Sequence, residues 1–272
     1  MADPDDLIAE GFGTFVAQYG AGVPVRLNSP VMKIVYRDGK VVVETSKGEG
    51  FEGLKALVTV STGVLAAKKI VFEPDLPEAK KEAIRNLPMG VMNKVIFEFN
   101  DNIFPRGLGG RDLDRTWVLF DGRKDNRGEE TDMAWVFLKV PPKNAYIAIG
   151  FFGGDQAKEL EKQGEGAMIS RAMTAMKKMC NCDAEGKLVK KKVTMWGLNP
   201  WTLGAYSAAK PGASGAHEEM ARPIGDLVYF AGEACSTPTF NGSFAGAYYS
   251  ALKAGHAIIR RLNDEDKART SN

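Results

Sequence analysis

The segment that most constrains this chain runs from Leu227 to Leu262. A short apolar run, Leu227 to Ala231, gives way to a loop rich in Gly and Ser that reaches Asn241, and a long helical pattern starts at about Gly242. It reads as strand, glycine loop and helix. Small residues between a strand and a helix N-terminus let backbone N–H groups approach a ligand, and the helix dipole favours negative charge there. A phosphate, or a ring oxygen that develops charge, suits such a place. The plainer alternative is a connection whose glycines only permit close packing.

Composition bounds what surrounds that unit. The chain has 272 residues, of which 44% are hydrophobic and 26% charged, enough for one large domain or two modest ones. Lys plus Arg number 36 against 34 for Asp plus Glu, and the charges are interspersed, so nucleic acid is set aside as a partner. Cys180, Cys182 and Cys235 are too few for a disulfide framework, and the first two are spaced for neither a redox nor a zinc pair. This favours a reducing, cytoplasmic setting. No apolar run approaches the ~18 residues of a membrane span, and the acidic N-terminus is unlike a secretory signal. In a fragment, a targeting segment would lie with the part not present.

Apolar Leu7, Ile8, Phe12, Phe15 and Val16 predict a helix from Asp5 to Tyr19. A small sheet follows from the runs Pro30 to Tyr36, Lys40 to Thr45 and Ala56 to Val60, with turns at Asp38-Gly39 and Lys47-Gly48. Pro77 to Leu87 predicts a short helix with proline in its first turn, and Val91 to Phe99 alternates as a strand. Loops should dominate residues 101–130 around a strand-like centre at Thr116 to Phe120. Trp135 to Val140 and Tyr146 to Phe152 should pair around Pro141-Pro142-Lys143-Asn144. Asp155 to Met179 is helical with a break near Gly164 and Gly166, Leu188 to Trp196 is extended, the final helix should end near Leu262, and the last residues should fray.

With these segments in place, the stretch from Val228 to Leu262, including Ala231-Gly232-Glu233-Ala234 and Gly242 to Ala247, resembles the last segment of the flavin-containing amine oxidases, the family of monoamine and polyamine oxidases. Other segments fall in that family's order: Pro30 to Ile34, Ala56 to Leu65 followed by Ile70 to Pro77, Gly90 to Val95, and Asn199-Pro200-Trp201 before Gly204-Ala205-Tyr206-Ser207. The resemblance implies roles. Val31 matches a backbone contact to the adenine end of FAD, and Gly232 and Glu233 a pair near the ribityl and diphosphate part. Ser243, Phe244 and Ala245 match the backbone against the flavin pyrimidine ring, and Trp201 an aromatic bordering the isoalloxazine. Tyr206 matches the substrate cage, and Lys94 the lysine that holds a water beside flavin N5. Each has a plainer alternative: strand lysines usually face solvent, aromatics usually pack, and Val31 is otherwise a strand valine. An unpaired buried Glu233 would be costly, so it needs a hydrogen-bonded ligand or an ion pair.

Departures from the family pattern narrow what the resemblance implies. Ala205 stands where monoamine oxidases carry the cysteine that bonds FAD, so the FAD is expected to be noncovalent. Ser243 leaves one cage wall small. Ser61 replaces a proline and is expected to loosen its turn. His217 and His256 lack metal-ligand spacing and are expected at the surface or on helices. No G-x-G-x-x-G follows a strand; Gly11-Phe12-Gly13 is a partial match inside the first predicted helix.

The resemblance implies a mixed α/β (α+β) fold, with the remaining part of an FAD-binding domain (1–75 and 196–265) interleaved with a mixed-sheet substrate domain (76–195), and a frayed tail at 266–272. The implied reaction oxidises an amine, a polyamine or a simple amine, by hydride transfer to flavin N5, giving an imine and, with oxygen, hydrogen peroxide. Two other functions stay open: a subunit or fragment needing a separate N-terminal FAD-binding polypeptide, or a redox-silent binding module.

Overall fold

The computed structural model describes residue 8 and residues 10–103, 116–118, 133–140, 145–180 and 183–270. The Pro141-to-Asn144 turn, Cys182 and most of 101–130 lie outside them. In chain order the elements are α1 (Phe12–Tyr19), β1 (Val31–Arg37), β2 (Lys40–Thr45), β3 (Gly50–Gly53), β4 (Ala56–Val58), α2 (Thr62–Ala66), β5 (Val71–Glu73), α3 (Glu78–Asn86), β6 (Met89–Gly90), β7 (Met92–Phe99), β8 (Thr116–Val118), β9 (Ala134–Val140), β10 (Ala145–Gly153), α4 (Gly154–Gln163), α5 (Glu165–Cys180), β11 (Leu188–Val193), β12 (Tyr206–Ser207), α6 (Ala216–Ala221), β13 (Val228–Phe230) and α7 (Phe244–Thr270). They form a mixed α/β architecture with several sheets.

The chain folds as two compact units, each assembled from two stretches: residues 28–91 with 196–272, and residues 1–27 with 92–195. Residues 76–91, read in the sequence with the middle segment, fall in the first of these, because Leu76, Ala83, Ile84 and Leu87 of the α3 region join Ile34, Tyr36 and Phe72 in one core.

In that first unit the strands order as β3-β2-β1-β5. The Asp38-Gly39 turn between β1 and β2 puts both residues at positive φ, 51° and 76°, the backbone a two-residue hairpin needs to match strand twist. Apart from these, β13 runs parallel to β4, with Val228 opposite Ala56 and Phe230 opposite Val58. All three β13 residues are buried.

In the second unit five strands order as β11-β7-β10-β9-β8. Alternate β7 residues from Asn93 to Phe99 are buried, and Val95 pairs with Gly150 of β10, which in turn faces Trp135 of β9. A Cβ on Gly150 would sit 2.6 Å from Met133 Cε and 2.9 Å from Trp135 Cη2. Glycine there makes room for the indole. Helices α4 and α5 cover this face, broken from each other at Gly164 with φ 91°, as the glycine pattern predicted.

Some boundaries differ from expectation. Helix α1 begins only at Phe12, because Gly11 at φ 86° cannot continue a helix, and none of its residues is buried. Helix α7 continues past Leu262 to Thr270. Arg261 pairs with Glu265 one turn on at 3.3 Å and with Asp226 at 3.0 Å, and Lys55 reaches Glu265 at 2.7 Å, so side-chain pairing extends the helix through residues that read as a polar tail.

Candidate functional site

Parallel strands β4 and β13 end side by side, with Ala231 N donating to the Val58 carbonyl at 3.0 Å as the last rung. Just beyond their carboxyl ends opens a cavity of about 440 Å³, lined by residues 58–62 and 230–235 and walled by Met89, Trp196, Trp201, Ala205 and Met220. Crevices at this end of parallel strands are the usual ligand sites of α/β sheets. The walls are mostly apolar, with two indoles, and suit a flat aromatic ligand.

Backbone geometry and serines build the rim. Gly232 takes φ 132°, a conformation for glycine, and Ser250 of α7 clasps it from both sides, accepting from Gly232 N at 2.9 Å and donating to Gly232 O at 2.8 Å. Ser61 caps α2 by accepting from Val64 N at 3.2 Å, and its hydroxyl donates to the Thr202 carbonyl at 2.6 Å. The turn expected to be loosened by this serine is therefore tied down, because a hydroxyl supplies both a cap and a tether where proline has no donor. Gly204, at φ 151°, lets the chain carrying Trp201 close over β6; a Cβ there would lie 2.3 Å from Met89 Cβ.

Behind the cavity lies a buried ammonium. Lys80 of α3 is 1% exposed; it donates to the carbonyls of Glu219, of Met220 at 2.9 Å and of Arg222 at 2.7 Å, and stands 4.5 Å from the Phe230 ring centre. It ties off the C-terminal end of α6. Burial pushes its pKa down to about 8, with the Glu219 carboxylate opposing. Burial likewise pushes the Cys235 thiol up to about 12, the nearby Lys80 ammonium opposing. Cys235 is accordingly an inert thiol.

His217 is on a helix but is not a surface residue: it is 3% exposed. Its Nδ1 lies 2.9 Å from the Ala234 carbonyl and its Nε2 3.2 Å from Asn241 Nδ2. A carbonyl only accepts, so Nδ1 carries the proton and Nε2 accepts from the amide. His256 is exposed on α7.

The nominated residues are not all in one place. Trp201, Gly232 and Glu233 line the cavity. Trp201 is 66% exposed, with its backbone N–H donating to Asn199 Oδ1 at 3.0 Å. Glu233 is hydrogen-bonded on both oxygens, by the N–H and hydroxyl of Ser207 at 2.9 Å each and by Gly242 N at 3.0 Å. Tyr206 sits on β12 against the Gly242 backbone. Ser243 precedes α7 as its cap, accepting from Gly246 N at 3.1 Å and donating to Phe240 O at 2.6 Å; Phe244 and Ala245 open the first turn. Val31 starts β1 and packs on the core of the four-stranded sheet. Lys94 belongs to the other compact unit, half-buried on β7, its ammonium 5.5 Å from the Phe151 ring centre. Sequence reasoning missed the contacts made by Ser61, Ser207, Ser250 and the His217–Asn241 pair. Only Ser61, three residues before the amide it caps, carried a local signal.

Comparison with known proteins gives this architecture its class. Residues 3–259 match the family model described as flavin containing amine oxidoreductase, and the chain belongs to that family. It is 27% identical over 260 residues to lysine-specific histone demethylase 2 of Homo sapiens, covering 95% of this chain and 31% of that protein. It is 30% identical over 261 residues to polyamine oxidase 5 of Oryza sativa subsp. japonica, covering 95% and 49%. A redesigned putrescine oxidase superposes with a TM-score of 0.73 at 15% identity, covering 93% of this chain and 53% of that one. The cyclohexylamine oxidase of Brevibacterium oxydans IH-35A does so at 0.63 and 20%, covering 86% and 48%. The chain thus spans about a third to a half of the length of these four proteins.

Proposed function

We propose that this chain supplies the ring-facing part of a flavin-dependent amine oxidase acting on a polyamine or a simple amine, with FAD held noncovalently. The observation that carries the reading is the apolar, indole-walled cavity at the carboxyl ends of β4 and β13 in a chain of this family. When bound, the flavin supplies the two-electron acceptor that the side chains lack, and oxygen serves as its final oxidant. The donor set fits such a ring: Trp201 and Trp196 give flat walls, Gly232 brings the backbone close, and Ser243 with the first turn of α7, Phe244 and Ala245, gives the positive end of a helix dipole. Ala205, on the cavity wall, has no nucleophile, and Cys235 is held protonated; both support noncovalent binding.

The remaining roles belong to the chain's own side chains. An apolar site disfavours an ammonium and so favours the neutral amine, the form competent for oxidation. Tyr206 borders the substrate, Lys94 positions water, and Val31 meets the adenine end; these three roles rest on the family match. Names among the relatives, polyamine oxidase and putrescine oxidase, favour polyamines, while the histone demethylases make a methylated-lysine peptide the competing substrate.

A second reading, that a separate N-terminal FAD-binding polypeptide completes the site, is favoured by one observation. Helix α7 holds Phe244, Tyr249, Leu252 and Ile259 at 40–58% exposure, an apolar display of the kind that marks an interaction surface. One experiment separates the readings. The purified chain is incubated with FAD, desalted, its visible spectrum recorded, and peroxide release measured with polyamines, simple amines and a methylated-lysine peptide. Retained flavin that acid precipitation releases, with peroxide from a polyamine, supports the first reading. A colourless chain that gains flavin only with an added dinucleotide-binding polypeptide supports the second, and no flavin under either condition ends both. In flavin-loaded protein, Lys94→Met should slow flavin reduction or reoxidation markedly; unchanged kinetics would remove Lys94 from the site.

A further inference from the structure

Glu233 makes contacts that its place in the sequence does not announce. A carboxylate offers about four acceptor positions, and three of Glu233's are taken by the protein: Ser207 N on Oε1, and Ser207 Oγ with Gly242 N on Oε2. The two partners are thirty-five positions apart in sequence, Ser207 on β12 and Gly242 in the turn before α7. Ser207 is the second residue of the two-residue strand β12, whose first residue is Tyr206. Gly242 immediately precedes Ser243, the cap of α7.

Two residues of strand are too few to hold an aromatic side chain in one orientation by ladder bonds alone. Strand β12 has few anchors of its own: the pairing of Tyr206 with Gly90 and Ser207 with Met89, flanked by Ala205 N to Gly90 O at 2.9 Å and Ala208 N to Pro88 O at 3.0 Å. Its Ser207 N–H instead goes to Glu233. On the other side the Tyr206 ring lies against Gly242: a Cβ on that glycine would be 3.3 Å from Tyr206 Cδ2, and Gly242 stands at φ 67°. The same carboxylate therefore fixes the strand that carries the tyrosine and the backbone its ring rests on.

The geometry points to Glu233, acting through Ser207 and Gly242, as the positioning residue that sets the Tyr206 ring and with it the amine-binding wall. This deepens the amine-oxidase reading and rests on it for the identity of what Tyr206 meets. The clamp consists of charge-assisted bonds to two backbone N–H groups and a buried hydroxyl, so it orients rather than reacts. Ser207, 3% exposed and outside the cavity lining, is its second member; its hydroxyl matters only through Glu233.

Two measurements on the full chain test this. Amide exchange needs no flavin: in Glu233→Gln the Ser207 and Gly242 N–H groups should exchange about tenfold faster, the loss expected for removing a charge-assisted acceptor. Unchanged exchange would overturn the clamp. In flavin-loaded protein, Glu233→Gln and Ser207→Ala should both raise KM for the amine several-fold while the affinity for FAD stays within a factor of about two. The reverse pattern in Glu233→Gln, weakened FAD and unchanged KM, would make Glu233 a cofactor contact and overturn the proposal. A Ser207→Ala variant with wild-type KM would do the same. Should the wild-type protein take no flavin and oxidise no amine, the functional reading fails, while the exchange experiment still decides the clamp.

Discussion

Lys80 has an aliphatic stem in the core and an ammonium on three carbonyls at the end of a six-residue helix. Replacing it with methionine keeps the stem and strips donors from three buried acceptors, a loss of roughly 1–3 kcal/mol in urea denaturation. The pH dependence has a definite sign. With a folded pKa of about 8 against 10.5 unfolded, the unfolded chain binds more protons between those values. Wild-type stability should therefore rise relative to Lys80→Met as pH climbs from about 8 to 10.5. A flat difference across that window would show the lysine to be less desolvated than its surroundings imply. His217 and Glu233 share this logic of polar groups placed beside loops, each satisfied by partners distant in sequence.

At the level of elements, short pieces are held by contacts with other pieces rather than by their own propensity. Helix α2 has five residues, far below the length at which a helix is stable alone; it persists because Ser61 caps it and because Gly63 lies flush on the stretch carrying Trp201. A Cβ on Gly63 would meet Met89 Cγ and the Thr202 carbonyl at 2.9 Å. Gly63→Ala should thus cost about 1–3 kcal/mol by overpacking, read as a lower urea midpoint with an unchanged m-value. FAD retention should fall with it, since the Ser61 to Thr202 tether shapes the cavity wall. The gain in helix propensity from glycine to alanine, about 1 kcal/mol, works the other way, and net stabilisation would mean that α2 is free to shift. Helix α7 shows the same dependence at the other extreme of length: Lys55, 5% exposed at its side chain, anchors Glu265 and extends a helix the local sequence leaves ambiguous.

The chain forms two units, each drawing on segments that are far apart in sequence. The candidate cavity lies wholly in the unit of residues 28–91 and 196–272. FAD bound there should stabilise that unit by mass action, by about 2.7 kcal/mol at a hundredfold excess over Kd, and so raise its melting temperature. Thermal melts with and without FAD, followed by tryptophan fluorescence from Trp196 and Trp201, would check this. A shift that appears only when a dinucleotide-binding polypeptide is added would favour the two-polypeptide reading.

By itself, the sequence determined the repeating local structure and the family. The Asp38-Gly39 hairpin, the alternation of β7, the break at Gly164 and the strand, glycine loop and helix from Val228 onward each depend on residues within a few positions of one another, where backbone sterics and side-chain period decide the outcome. Tertiary structure alone decided which groups meet. The pairing of β4 with β13, the clasp of Ser250 on Gly232, the ammonium of Lys80 on α6 and the three bonds to Glu233 join residues up to about 170 positions apart. No periodicity encodes such contacts, because an exposed serine and one that bridges two elements occupy the same place in a local pattern; only closure of the surrounding core distinguishes them.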